Sequence, residues 1–254
     1  MGLLIWGFMF FVGCYHHPIP TYYAKRMSQK DKLIWRFRVI NAYHGGLAFI
    51  GGVIWYITQL DTSCTRKNNT YELMMLANTS SYLVMDGIFM WTEGFLDGGN
   101  LMHHVFGIMG YYAIAYFQHD YTHMALHMVP AEFSNVPMHM REILKRMGMR
   151  YTWSYYINDF AYYLTYFMCR GFWIPSVYYF IFTCKSSNPV TLVIYPLHVI
   201  MSWYFCSFIP AMAQQRIDEI NKINQAQIEI PWIEPANSKK LESIGVTPFE
   251  IYYT

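Results

Sequence analysis

The chain has 254 residues, 54% of them hydrophobic, 19% aromatic and only 13% charged, with a formal net charge of +2. About a quarter of an ordinary soluble domain is charged, so much of the usual solvating charge is missing. The aromatic bulk excludes disorder, collagen and coiled coil, the small net charge without a basic arm excludes a nucleic-acid binder, and Cys is too sparse for a disulfide scaffold.

What remains is an all-α, multi-pass integral membrane protein, although a mean hydropathy of +0.14 shows that polar loops and a tail dilute its spans. Seven apolar stretches approach the roughly 20 residues that cross a hydrocarbon layer. They cover residues 2–19, 39–60, 73–95, 101–117, 121–136, 155–183 and 190–213. Span one reads as a retained anchor, since its start carries no positive charge and no small-residue cleavage site precedes Pro18. Pro130 predicts a kink or tilt in span five. From Gln214 the run QQRIDEINKINQ predicts a helix leaving the membrane, and Pro231 and Pro235 favour an extended end. The organisation is thus an anchor helix with a basic loop (1–33), a membrane domain (34–213) and a polar tail (214–254), without internal repeats.

Lys and Arg support this count. Fourteen fall in the segments before span two, between spans five and six, and in the tail; three fall on the other side (Arg66, Lys67 and Lys185), and Arg170 lies within span six. The positive-inside rule then puts the N-terminus outside and the C-terminus inside. Asn68-Asn69-Thr70, on the outer side, matches the glycosylation triplet.

Ionisable residues within spans are costly and rare, so each marks a candidate site. At 1.5 Å per residue, His44, His103, His104 and Glu132 lie about 5–7 Å from the inner ends of their spans and Asp86 about 13 Å. Four helices thus place polar groups in one slab, as a pocket opening inward requires. Snorkelling explains groups near span ends; Asp86 is too deep and too short for it and needs a buried partner. Adjacent helical residues point about 100° apart, so only one of His103 and His104 faces such a pocket squarely. An imidazole oriented by Asp86 or Glu132 suits general acid–base work. Arg170 and His198 are further polar residues within spans.

His119, His123 and His127 make one helical stripe, but no HxxHH box accompanies it, and no metal or cofactor is expected. There is no CxxC, GxSxG, Walker A or GxGxxG in a fitting context. Gly45-Gly46 and Gly51-Gly52 predict close helix packing.

Five segments in order carry a resemblance: Trp35 to His44; Ser81-Tyr82-Leu83-Val84-Met85-Asp86; His103-His104 opening a helix; Glu132-Phe133-Ser134 with Arg141; and Asn158, Phe167-Met168-Cys169-Arg170 and Pro175. Residues 34–210 resemble the TLC-domain (TRAM/Lag1-like) membrane proteins, closer to the small members than to ceramide synthases. The resemblance implies a six-helix barrel around a lipid-accepting cavity, with Asp86, His103 and His104 near its polar end and, in an enzyme, catalytic. The stretch MVPAEFSNVPMHMREI lacks the acidic signature of ceramide synthases. The favoured expectation is therefore a non-catalytic lipid-binding or structural subunit of a larger membrane assembly, such as a respiratory complex. In that reading His44, Asp86, His103, His104, Glu132 and Arg170 line a lipid pocket, and the tail contacts protein partners. The alternative is acyl-CoA-dependent lipid N-acyl transfer through His103 or His104. Endoplasmic reticulum and mitochondrial inner membrane fit equally.

Overall fold

The computed structural model describes residues 1–61, 63, 66–184, 188–234 and 238–246. Lys185, Pro235 and Thr254, which enter the sequence reading above, lie outside them. The described residues form helices and no strand; one isolated bridge joins Lys67 to His119. Helix α1 (Gly2–Phe8) runs through a π-helical turn, Met9–Gly13, into α2 (Cys14–His16). A short α3 (Thr21–Ala24) precedes α4 (Gln29–Gln59), α5 (Thr70–Thr92), α6 (Gly98–Phe117) and α7 (Tyr121–Arg146). A further rod consists of α8 (Trp153–Tyr166), a π-helical stretch (Phe167–Trp173) and α9 (Ile174–Thr183). Then come α10 (Pro189–Cys206), α11 (Ile209–Gln225) and α12 (Ser238–Ser243).

Side-chain caps set several starts, because the first backbone N–H groups of a helix lack internal partners. Ser28 Oγ accepts from the Asp31 N–H, so α4 begins well before the apolar window at residue 39 and takes the basic run with it. Asn69 and Glu72 form a capping box on α5, and Asp97, Thr152 and Asn188 cap α6, α8 and α10. Helix α7 is unbroken through Pro130 and Pro137 and extends past the expected end at residue 136. Proline lacks an N–H and leaves the carbonyl four residues earlier without its helical donor. For Pro130 that carbonyl is Leu126 O, and the Trp173 indole N–H donates to it at 2.8 Å. For Pro175 it is Gly171 O, which accepts from the Trp203 indole at 3.1 Å.

Contacts between neighbours close a ring. Helix α4 meets α5, α5 meets α6, α6 meets α10, α10 meets the α8–α9 rod, and that rod meets α7, which returns to α4. A Cβ on Gly52 would fall 2.1 Å from Val129 Cγ2, so glycine permits the approach of α4 to α7. The α1–α2 rod lies over α4 and α5, burying Trp6, Phe10 and Cys14, with Phe10 and Phe37 stacked on Phe89 at 5.7 and 5.5 Å.

The connections gather at two ends. At the Asp120 end, the Asn68 N–H donates to Gln118 O at 2.7 Å, Thr122 Oγ1 to Asp61 O at 2.7 Å, and Asn188 Nδ2 to Asp120 Oδ2 at 2.7 Å. Buried Glu72 accepts there from the Trp55 indole and pairs at both oxygens with Arg66. The Asn68 amide is spent within the fold, donating to Ile114 O and accepting from the Tyr121 N–H, so a glycan on Nδ2 would crowd the bond to Ile114 O.

At the Asp159 end, Arg146 donates to Asp31 at 2.7 Å and the Trp153 N–H to Pro231 O at 3.0 Å. Burial alone would raise the Asp31 carboxyl, but Ser28 and the Arg146 guanidinium hold it below the usual carboxylate range. The stabilisation from this clasp is present above the unfolded carboxyl value and is lost as pH falls through the lowered one. The tail packs back on the same end: Ile223, Leu241 and Val246 are buried with Tyr151, Tyr155 and Tyr156.

Large apolar side chains such as Leu47, Ile54, Tyr112, Phe160, Val193 and Ile200 point outward, whereas His44, Asp86, His104, Asp159 and Arg170 are buried. Among the described residues, the α10–α11 rod, Pro189–Gln225, is the one helical run long and apolar enough by itself to cross a membrane, and the α1–α2 rod, Gly2–His16, is a shorter apolar one.

Candidate functional site

The His103-His104 pair stands in the second turn of α6, whose start Asp97 sets by accepting from the Asn100 N–H at 2.8 Å. His104 turns inward, and its Nε2 lies 3.2 Å from Asp86 Oδ2 on α5, both side chains being less than a tenth exposed. Asp86 thus has the buried partner its depth demands. His103 is half-buried and meets His104 edge-on, ring centroids 5.7 Å apart, and its ring is 6.2 Å from that of His198 on α10. His198 in turn lies 5.5 Å from His127 on α7, and His127 packs edge-on to Tyr195 at 5.0 Å. A row of four imidazoles therefore crosses the ring from α6 past α10 to α7.

The second cluster lies beside α4. The His44 ring stacks on Tyr82 with centroids 3.5 Å apart and meets Trp6 edge-on. Its Nδ1 is 3.9 Å from Glu132 Oε2, too far for a hydrogen bond. Glu132 instead accepts from Asn135 Nδ2 at 3.2 Å, while Asn135 Oδ1 accepts from Arg170 at 2.7 Å. Arg170 also donates to Ser134 Oγ at 3.3 Å and lies over the Tyr166 ring at 4.8 Å. Arg170 and Glu132 are thus linked through an amide rather than directly. Of the six residues singled out from sequence, the structure unites Asp86 with His104, sets His103 beside them, and joins His44, Glu132 and Arg170 in a separate chain of contacts.

Sequence reasoning missed the bridging Asn135 and two buried neighbours, Asn41 and His139. The signal was there: Asn41 lies three residues before His44, and Glu132, Asn135 and His139 share one face of a helix. Ending span five near Pro137 hid the last of these. Several buried polar atoms, among them Asn41 Oδ1, His44 Nε2, Asp86 Oδ1, His104 Nδ1 and His139 Nδ1, have no hydrogen-bond partner among the described residues. Such atoms are uncommon in folded proteins and mark where water or a polar ligand group is needed.

A cavity of about 10 Å³ between His127, Thr191, Tyr195 and His198 is at the lower limit for one water. A larger cavity, about 340 Å³, lies elsewhere, lined by none of the six residues. His104 held by Asp86 has the parts of an oriented base. His119 and His123, by contrast, both turn toward Asp120, at 3.2 and 3.8 Å.

A closed ring of helices with ionisable groups turned in and aromatic and aliphatic side chains turned out is the plan of a helical membrane protein. The TLC-domain family model matches residues 34–213, well over half of the chain. The chain belongs to the TLC-domain family, which places it among lipid-related membrane proteins. No curated protein matches it.

Proposed function

We propose that the chain crosses its membrane seven times, that six crossings form a TLC-type barrel, and that the protein is a non-catalytic lipid-binding or structural subunit of a larger membrane assembly, such as a mitochondrial respiratory complex. The observation that carries the non-catalytic reading is where the cavity at the imidazole row lies. Acyl transfer needs acyl carbon and amine held about 3–3.5 Å apart beside the base, and the small cavity at the row, between His127, Thr191, Tyr195 and His198, is lined by neither His103 nor His104. Seven crossings account for the alternation of connections between two ends. Tyr, Gly, His and inward-facing charges lower the hydropathy of the other rods.

The Asp120 end is the outer side in this reading. Cys184, at the C-cap of α9, is disulfide-bonded, which suits an oxidising compartment. The lumen of the endoplasmic reticulum or the intermembrane side of the mitochondrial inner membrane serves. Protein partners would meet the tail at exposed Trp232 and Ile233. The alternative, ceramide-synthase-like N-acyl transfer through His103 or His104, draws on the Asp86–His104 contact.

Two measurements test this. Reporter tags after Thr254 and in the 147–152 segment are expected on the same side of the membrane; opposite sides would refute the topology. Purification in mild detergent is expected to retain protein partners, with no acyl-CoA-dependent amide formation. A monomer that makes amides would refute the subunit reading.

A further inference from the structure

The cavity of about 340 Å³ is at the Asp159 end, outside the histidine clusters, and none of the roles above uses it. Its size is within the roughly 300–1,000 Å³ usual for small-ligand sites. Gln29, Lys30, Leu33 and Arg36 line one side, all from the first turns of α4; Tyr15, Glu93 and Phe95 line the other. Leu33 and Phe95 rest on the hydrophobic core and make an apolar floor. Arg36 donates through Nε to His17 O at 2.8 Å, and among the described residues neither Lys30 nor Arg36 makes an ion pair. Glu93 accepts from the Tyr15 hydroxyl at 2.6 Å through Oε1.

The helix ends sharpen this separation of charge. Gln29 and Lys30 open α4, the positive end of a long helix, and Glu93 is the C-cap of α5, at the negative end of another. One cavity thus presents two cations and a helix N-terminus on one side. It presents a carboxylate, a helix C-terminus and an aromatic ring on the other. A simple anion would be attracted by the first side and repelled by the second. A ligand carrying both charges, a phosphate and an ammonium joined by a short link, satisfies both.

We infer that this cavity binds the headgroup of a zwitterionic phospholipid, with the phosphate at Lys30 and Arg36, the ammonium at Glu93 and the Tyr15 ring, and the glycerol end on Leu33 and Phe95. Ammonium groups are held well by a carboxylate beside an aromatic face, and phosphates by cations at a helix N-terminus. The site depends on the membrane setting of the family, not on whether the histidines are catalytic. Its failure would leave the subunit reading untouched, and loss of partners on purification would leave this site untouched.

The test is native mass spectrometry of the full chain released from bilayer discs of equal phosphatidylethanolamine and phosphatidylglycerol. The wild type is expected to retain phosphatidylethanolamine several-fold over phosphatidylglycerol. Glu93→Gln should reverse that preference, since it removes the ammonium's partner and the repulsion of a purely anionic headgroup. Lys30→Gln with Arg36→Gln should lose both lipids. Tyr15→Phe keeps the ring and carboxylate and should keep the preference, which separates loss of the Tyr15–Glu93 bond from loss of the charge. Melting temperature is followed for each variant. Equal retention by the wild type, or an unchanged preference in a folded Glu93→Gln variant, overturns the inference. Free phosphoethanolamine added at millimolar concentration is expected not to displace the lipid; displacement would assign the site to a soluble phosphoamine and overturn the lipid headgroup.

Discussion

Replacing Asp159 by Ala should destabilise the protein by about 4 kcal/mol and release the tail from the helical body. The carboxylate, 2% exposed, joins three elements: Arg141 Nε on α7 lies 2.6 Å from Oδ1, Arg216 Nε on α11 lies 3.1 Å from Oδ2, and the Tyr163 hydroxyl donates to Oδ2 at 2.9 Å. Without it, two largely buried guanidinium groups face each other with no anion between them. Arg216 keeps Glu219, at 2.5 Å, but Glu219 also serves Arg150 at 2.8 Å, so it cannot compensate for both. An uncompensated buried charge is the costly case, whereas the intact pair itself contributes little beyond replacing water. Asp159→Asn keeps the shape and some hydrogen bonding and should cost less. Thermal unfolding in detergent gives the size of the effect, and limited proteolysis gives its location, with cleavage after Arg216 or Lys222 appearing in the Ala variant first. A variant as stable as the wild type, with an uncut tail, would show that the arginines hold the tail without Asp159.

Replacing His104 by Ala should cost about 3 kcal/mol, because it leaves the Asp86 carboxylate buried with neither oxygen satisfied. The control is a double-mutant cycle with Asp86→Ala. If the contact matters for the fold, removing both residues costs less than the two single losses added together, by about 1–3 kcal/mol. The same proteins, given acyl-CoA and a sphingoid amine, are expected to form no amide. Robust turnover in the wild type that vanishes in the His104→Ala variant at unchanged melting temperature would assign the pair to catalysis and reverse the functional reading.

Much of the helical layout is visible in the sequence, because long apolar stretches interrupted by Gly, Pro and charged runs leave few alternatives. The boundaries are less visible for specific reasons. Apolar windows begin α4 at residue 39, yet the Ser28–Asp31 cap starts it at Gln29, and polar helical turns beyond a membrane window leave no mark in hydropathy. The apolar window of span five ends at residue 136, yet α7 continues through Pro137, whose carbonyl accepts from Asn158 Nδ2 at 2.9 Å. Asp86, His104 and Arg170 stand out because buried ionisable groups are rare in apolar segments. Their pairings do not stand out. Whether His103 or His104 meets Asp86 depends on a rotation of about 100°, which only the packing of α6 against α5 decides, and Asn135 has no charge to draw attention.

The π-helical stretch Phe167–Trp173 also sets a length constraint. Tyr162, Tyr166, Arg170 and Ile174 all face inward and are each four residues apart. An ordinary α-helix, with its 3.6-residue turn, would carry each of them about 40° further round than the last. The wider turn absorbs that drift, and Pro175, which cannot donate to Gly171 O, favours it. The spacing between Tyr166 and Ile174 therefore works as a gauge block. Shortening it by one residue would let the segment relax to an ordinary winding, turning Arg170 off Ser134 and Asn135 or swinging Ile174, Val177 and Ile181 out of their apolar seat. A family member lacking one residue here would have to reseat one half of this rod, so insertions and deletions belong in the connections at the two ends and not in this segment.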